Sequence, residues 1–427
     1  MTVSSVSVSS VVVVGGGIAG VSTVAELRKN GYAGELTLLS ADPIPYDRPP
    51  LSKEYLAGGR DLESIALQPA EWYAEQQISL VGGAVAVSLR PDAGEVELAD
   101  GRVLTADRIV LATGGRAVRP SLGEVRRDVS VGLPVGNGQD RPVVSRIHVL
   151  REVKDADRLR TQLVPGTRLL IVGGGLIGAE VASTARGLGA SVVLVDPLSP
   201  PLAAAVGVEV ATWLHGLHAA HGVEALTTTV ETLLETPSGI AAQLKGEPDS
   251  REFDAVLLAV GLVSETGLAE VAGLETSRGI LVDAGQVTSH PSVLAVGDCA
   301  RRRGHRRAEH WEAALHDGHR AAATILGIDA GAETAPWFWT DRYDLHVEAV
   351  GEMHDPDSEH ENVVRGTLGE PPFAVFTLRG ERVIGAVAVD DPAAAKTARR
   401  LIDRGVEVRP ADLADPTQNL RTLLRRS

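Results

Sequence analysis

Cysteine is almost missing from this chain: Cys299 is the one thiol in 427 residues. A single thiol excludes an intrachain disulfide, a CxxC dithiol and a zinc site built on thiolates. It also removes every enzyme class that passes electrons through a protein disulfide. Positive charge is short as well, with 41 basic against 56 acidic residues and a formal net charge of −15. Generic binding to nucleic acid or to an anionic membrane is therefore excluded, and any basic patch has to be local. Lysine is scarcer still, confined to Lys29, Lys53, Lys154, Lys245 and Lys396, so a lysine inside a motif stands out. Aromatic residues make up 3% of the chain. Apolar runs are broken by Gly, Ser or charge before the roughly 18 residues that a membrane span needs. The Ser/Val-rich start, Met1 to Ser10, lacks the positive region of a signal peptide. The expectation is a cytoplasmic protein whose lone thiol is a small buried residue.

What the chain does contain is an internal repeat. Residues 11–20 read VVVVGGGIAG and residues 169–178 read LLIVGGGLIG. Each is an apolar strand running into GxGxxG, through Gly15, Gly17 and Gly20, then through Gly173, Gly175 and Gly178. Each continues into a helical stretch closed by Gly31 or Gly189, then into a second strand followed by an acid, Asp42 or Asp196. One GxGxxG is a weak signal. The whole strand–turn–helix–strand–acid unit, present twice, is specific for dinucleotides, although one copy could be a nucleotide fold without its ligand. The first glycine makes the turn, the second admits a pyrophosphate to the backbone, and the third lets helix pack on strand.

Between the two units, residues 94–105 alternate as a hairpin around Asp100-Gly101, leading to a strand at 108–113. After the second unit, FDAVLLAVG (253–261) and VLAVGD (293–298) are buried strands, followed by a helix over 309–325. From about Ala332 aromatic residues, strands and turns dominate, and the last stretch from Ala393 is helical, which predicts an α+β domain. Residues 118–145, rich in Gly, Pro and Val, read as loop or hairpin.

With PYDRPPLSKEYL (45–56) added to the double fingerprint, the chain resembles the FAD-dependent NADH–ferredoxin reductases that serve oxygenases, the putidaredoxin and rubredoxin reductase kind. Further marks are LATGGR (111–116), VGGGLIGAE (172–180), AVGDCA (295–300), EHWEAALHDG (309–318) and APWFWTD (335–341). The resemblance implies an α/β protein with two Rossmann-like dinucleotide-binding domains and an α+β C-terminal domain. An FAD domain formed by residues 1–119 and 260–330 would be interrupted by an NAD domain at 120–259, with the third domain at 331–427.

It also implies roles. Gly15, Gly17, Ala19 and Gly20 would hold the FAD pyrophosphate and Asp42 the adenosine ribose, Asp42 being alternatively an Asp-Pro turn residue in a segment one residue shorter than usual. Arg48 and Arg151 match flavin contacts, since the guanidinium fork suits phosphate, and either could be an ordinary surface arginine. Ala86 and Ala112 match backbone contacts to the adenosine half, Asp298 the ribityl chain, and Trp311 a flavin contact, against a core tryptophan. Lys53 would lie beside the central flavin nitrogen and Glu180 approach it from the nicotinamide side; together they are the candidate catalytic pair. A charged lysine would stabilise the reduced flavin, and a paired glutamate would keep it charged. Alternatively, Glu180 is an acid in a helix first turn, favourable to the dipole and nothing more. For the second nucleotide, Gly173, Gly175 and Gly178 would hold the pyrophosphate and Gly261 would approach the nicotinamide. Asp196 accepts from a free ribose 2′-hydroxyl and repels a 2′-phosphate, and residues 197–207 hold no Arg or Lys, so NADH is preferred over NADPH.

Trp337, Phe338 and Trp339 are the densest aromatic patch, either domain core or a cover over the flavin. Arg301, Arg302, Arg303, Arg306 and Arg307 are the strongest basic run, either a solvated loop or a patch that steers an acidic ferredoxin. The histidines, His305, His310, His316 and His319 among them, have no accompanying acids in a metal pattern and read as surface residues. The implied activity is electron transfer from NADH through FAD to a two-iron two-sulfur ferredoxin, which would feed a haem monooxygenase or ring-hydroxylating dioxygenase. Alternatives on the same fold are a rubredoxin reductase, an NADH oxidase, or a redox-sensing flavoprotein. Oxidases of that kind carry a cysteine near the flavin, and residues 45–53 have none.

Overall fold

A computed structural model describes residues 8–120, 146–307, 309–353 and 359–425. The loop or hairpin expected at 118–145 falls almost wholly outside the described residues. The chain divides into two compact units. The first comprises Met1–Arg48, Asp61–Arg116 and Leu262–Glu333, the second Pro49–Arg60, Ala117–Gly261 and Thr334–Ser427.

The first unit is built on a parallel sheet ordered Val293–Ala295, Arg108–Leu111, Ser10–Val14, Glu35–Leu39, Ser79–Val81. Its central strand SVVVV buries all four valines, as a parallel strand covered on both faces must. The helix Ile18–Lys29 follows the glycine turn and packs against the long helix Trp311–Leu326. That packing is close because Gly318 has no side chain: a Cβ there would lie 2.6 Å from the Ala19 carbonyl oxygen. The hairpin expected around Asp100-Gly101 forms between Glu95–Leu98 and Val103–Thr105, and Ala86–Arg90 adds a third antiparallel strand.

The second unit repeats the arrangement. Its parallel sheet runs Glu224–Thr227, Ser191–Asp196, Arg168–Val172, Ala255–Leu258, Ile147–His148, with the helix Leu176–Gly187 after the glycine turn. The same unit contains a five-stranded antiparallel sheet in the order Trp337–Arg342, Leu345–Gly351, Arg382–Val389, Glu370–Arg379, Glu361–Thr367. The amphipathic helix Pro392–Arg404 closes one face of that sheet, burying Ala394, Ala398 and Leu401 with Val383, Phe376 and Leu378. Its start is capped by Asp391, which accepts from the Ala394 N–H at 3.0 Å.

Gly318→Val should separate the two packed helices of the first unit. The expected loss is about 1–3 kcal/mol, typical of overpacking a close contact. It should appear as a lower thermal midpoint, whereas an unchanged midpoint would mean that the helices do not touch there.

Candidate functional site

The two glycine turns are nearly superimposable in their internal contacts. Gly15 N–H donates to Leu39 O at 2.9 Å, and Gly173 N–H donates to Val195 O at 2.8 Å. Both glycines take positive φ, +126° and +106°. A Cβ on Gly15 would lie 2.1 Å from Ala112 O, and one on Gly173 would lie 2.3 Å from Ala259 O. The third glycines are equally closed, with Gly20 against Gly15 O at 2.0 Å and Gly178 against Gly173 O at 1.9 Å. The middle glycines are open: a Cβ on Gly175 meets nothing within 4 Å. On Gly17 it meets only the Arg48 guanidinium, Nη1 at 2.9 Å. Each following helix starts without a side-chain cap or a first-turn acid among the described residues. Unclaimed N–H groups and the positive end of the dipole thus face the space beside each middle glycine. That is a cradle for an anion twice over, and in the first Arg48 adds a cation. FAD fits the first cradle and a nicotinamide dinucleotide the second.

Register shows what the spacing of residues could not. Because Leu39 and Val195 hold equivalent places, the residue that follows them is Ser40 in the first unit and Asp196 in the second. A Cβ on Gly16 would lie 2.6 Å from Ser40 Oγ, just as Gly174 N–H donates to Asp196 Oδ2 at 2.7 Å. Asp42 lies two positions further on, half-buried, its carbonyl accepting from Gly83 N–H at 3.2 Å. Asp196 also accepts from Leu198 N–H at 2.8 Å through Oδ1. Two of a carboxylate's four lone-pair positions remain for ribose hydroxyls.

The other first-unit candidates sit as follows. Ala112 is buried, with its carbonyl over the first glycine; Ala19 packs beside Gly297; Ala86 begins the antiparallel strand. Asp298 lies in the short turn Gly297–Cys299, where its carbonyl accepts from Ser264 Oγ at 2.8 Å. Trp311 opens its helix half-buried, and its indole N–H donates to Asp47 at 2.7 Å, next to Arg48. Asp317, one turn and a half further, holds Gly297 N–H at 3.1 Å and Gln286 at 2.8 Å. Burial drives its carboxyl up to about 6, against the lowering effect of the Gly297 hydrogen bond. Cys299 is fully buried, and burial raises its thiol pKa. Arg151 belongs to the second unit, where its N–H donates to Asp155 at 3.1 Å. Gly261 is exposed three residues past the strand Ala255–Leu258, at φ +109°.

In the second unit Lys53 and Glu180 come together, Nζ to Oε1 at 3.7 Å, with Glu180 buried and Lys53 largely so. Glu180 is the fifth residue of its helix, past the first turn, so the dipole-only alternative does not hold. Its Oε2 accepts from Ser52 Oγ at 2.5 Å, and its Oε1 accepts from Thr340 Oγ1 at 2.8 Å and Asp341 N–H at 3.3 Å. Lys53 donates to Asp341 Oδ2 at 2.6 Å and lies 5.6 Å from the ring centre of Trp339. Burial alone would raise the Asp341 carboxyl; the hydrogen bonds from Lys53 and His346 outweigh it and hold it below the usual range. Sequence reasoning assigned no role to Ser52, Thr340 or Asp341, although all three lie inside the quoted PPLSK and APWFWTD segments.

Two other expectations change. Three arginines of the basic run are matched locally, Arg303 with Glu275 at 2.9 Å, Arg302 with Glu333 and Arg307 with Glu309, so the run is mostly neutralised. His310 is not a simple surface residue, since burial lowers its pKa. His218, unnoticed in the sequence, is buried, and its pKa falls to about 3. Of the aromatic patch, Trp337 and Phe338 pack against two different cores of the second unit. Trp337 and Trp339 stack with centroids 4.9 Å apart.

Residues 9–318 match the family model described as pyridine nucleotide-disulphide oxidoreductase, and residues 337–424 match the reductase C-terminal model. The chain belongs to this oxidoreductase family. Putidaredoxin reductase of Pseudomonas putida is 35% identical over 97% of this chain and 96% of its own length. A benzene 1,2-dioxygenase system ferredoxin–NAD(+) reductase subunit, also from Pseudomonas putida, is 36% identical over 97% of each. Among solved structures, a covalent putidaredoxin reductase–putidaredoxin complex aligns with a TM-score of 0.85 at 34% identity, covering 98% of both chains. With Cys299 as its one thiol, this chain cannot form an intrachain redox disulfide.

Asp317→Asn tests the buried carboxyl of the first unit. A carboxyl raised from 3.8 to about 6 on folding stabilises the fold fully below about pH 4 and loses that contribution as pH rises through about 6. At about 1.4 kcal/mol per unit the span is about 3 kcal/mol. The variant's stability should be flatter across that window in unfolding titrations, and an unaltered slope would remove Asp317 from the account.

Proposed function

We propose that this protein oxidises NADH with a bound FAD and delivers the electrons singly to a two-iron two-sulfur ferredoxin that supplies an oxygenase. The observation that carries this reading is the pair of matching anion cradles in one chain, one with Arg48 and one with Asp196. FAD supplies the conversion of a two-electron hydride into two single-electron steps.

The residues do the rest. Gly15, Gly17 and Gly20, with the uncapped helix start and Arg48, bind the FAD pyrophosphate. Ala112 and Ala86 face the adenosine half, with Asp42, two residues past the place equivalent to Asp196, as the ribose acid of the segment. Asp298 takes the ribityl hydroxyls, held in place by Asp317 through Gly297, while Trp311 and Arg151 serve the flavin. Gly173, Gly175 and Gly178 bind the NADH pyrophosphate, and Gly261 leaves the strand end open for nicotinamide. Asp196 selects NADH, since a 2′-phosphate would meet a carboxylate with no nearby cation at 197–207. Lys53 is the counter-charge for the reduced flavin, and Glu180, locked by three hydrogen bonds, keeps the ammonium charged and in place. The ferredoxin partner follows from the relatives' electron acceptors, and the domain limits proposed are those of the sequence reading. We place the protein in a reducing cytoplasm, which suits its single buried thiol. Among the described residues no helix is long and apolar enough to cross a membrane.

Two substitutions test this. Asp196→Ala should narrow the preference for NADH over NADPH by about tenfold, equivalent to about 1.4 kcal/mol, in stopped-flow flavin reduction. An unchanged ratio would count against the assigned role. Lys53→Met should slow reduction of bound flavin by NADH about tenfold or more with FAD content retained; wild-type kinetics would sink that assignment.

A further inference from the structure

Oxidation of NADH to NAD+ releases two electrons and one proton. Two ferredoxins take one electron each, so one proton per cycle has to reach water. We propose that Asp341 and His346 carry that proton from Lys53 to solvent, an inference that rests on the reading of Lys53 given above.

The geometry is a continuous chain within the second unit. Lys53 Nζ donates to Asp341 Oδ2 at 2.6 Å, and Asp341 Oδ1 is 2.5 Å from His346 Nδ1. Exposure rises along it, from 12% for the Lys53 side chain to 37% for Asp341 and 43% for His346. The far ring nitrogen, Nε2, is 3.9 Å from Glu348 Oε2. Glu348 is fixed in turn by the Trp337 indole N–H at 2.9 Å. From the neighbouring turn, Asp390 takes the His346 backbone N–H at 2.9 Å and so leaves the ring to Asp341 and Glu348. Glu180 makes a poor exit, because Ser52, Thr340 and the Asp341 backbone already occupy its oxygens.

Each step balances. An Nζ–H bond of Lys53 breaks as an O–H bond forms on Asp341, and the lysine takes up the proton left by the hydride. Once protonated, Asp341 no longer accepts from Nδ1–H; the neutral ring exchanges through water to its Nε2–H tautomer, and the Asp341 O–H bond breaks as a new Nδ1–H bond forms. The Nε2–H bond then breaks to water. No oxidant beyond the one-electron acceptor is needed. Histidine suits the outer place because one ring nitrogen can take up a proton while the other gives one up.

The test uses flavin-loaded protein reduced with one equivalent of NADH, then reoxidised by ferricyanide in weak buffer with a pH-indicator dye. In the wild type, proton release should keep pace with recovery of flavin absorbance. In His346→Gln it should lag about tenfold or more, a modest general acid–base effect, and added imidazole should restore it. Release that keeps pace in the variant, or a lag that imidazole does not shorten, overturns the proposal. A second readout needs no turnover. In the oxidised protein the His346 ring-nitrogen signals, followed by nitrogen NMR, should shift in Asp341→Asn, because the carboxylate that Nδ1 faces at 2.5 Å has gone; unmoved signals also overturn it. Should His346→Gln not fold, His346→Asn replaces it. Failure of the wild type to bind FAD or to be bleached by NADH would instead strike the functional reading on which this rests.

Discussion

Everything in both units hangs on a steric condition at the glycine turns. The third glycine of each fingerprint brings its helix within 2.0 Å and 1.9 Å, measured from an imagined Cβ, of the first glycine's carbonyl oxygen. No L side chain fits there. Only with that approach does the helix axis point its free N–H groups at the strand ends, where the sheet leaves room. The middle glycine then matters for the opposite reason, because the space it leaves belongs to a phosphate. One glycine closes the turn onto itself, another opens it to a ligand, and the helix dipole gives the opening its sign. The acid or its substitute at the second strand end decides which nucleotide is read.

Much of this was legible in the residues. Val11–Val14 and Leu169–Val172 announce buried parallel strands, and the positive-φ glycines Gly31 and Gly189 end the helices where the pattern stops. The hairpin around Asp100-Gly101 and the α+β character after Ala332 were equally plain. Register within a loop was not. Asp42 is the nearest acid in the string, but the hydrogen bond from Gly15 to Leu39 places Ser40 in the position Asp196 occupies. A shift of two residues is invisible until strand pairing is known. The Lys53 network was legible only in part for a related reason: Asp341 and His346 stand 288 and 293 residues away, and Asp341 is joined to the lysine through tertiary contact alone. Local pattern says nothing about such contacts. The basic run misled in the other direction, since Glu275, Glu309 and Glu333, distant or unremarked in sequence, cancel three of its arginines.

The buried charges of the second unit explain why this network is built from so many partners. A lysine at 12% exposure and a glutamate at 8% would each lose several kcal/mol of hydration if placed alone. Their separation of 3.7 Å is too long for a strong hydrogen bond, so the pair does not settle that cost by itself. Ser52, Thr340 and the Asp341 backbone solvate the glutamate, and the Asp341 carboxylate solvates the lysine. Lys53 is thereby held between two carboxylates, tightly by Asp341 at 2.6 Å and loosely by Glu180 at 3.7 Å. That arrangement fixes where the ammonium sits between its two partners.

The same logic separates the roles of the two carboxylates. Glu180 sits inside a helix, its oxygens filled by rigid donors, and so acts as a fixed charge. Asp341 lies on an edge strand, shared between a buried ammonium and a half-exposed imidazole, and is the member of the set that can exchange a proton without leaving an orphaned charge behind. Electron transfer needs the first property at all times and the second once per NADH. Placing them on separate side chains, one anchored and one at the rim, lets the field stay constant while the proton moves.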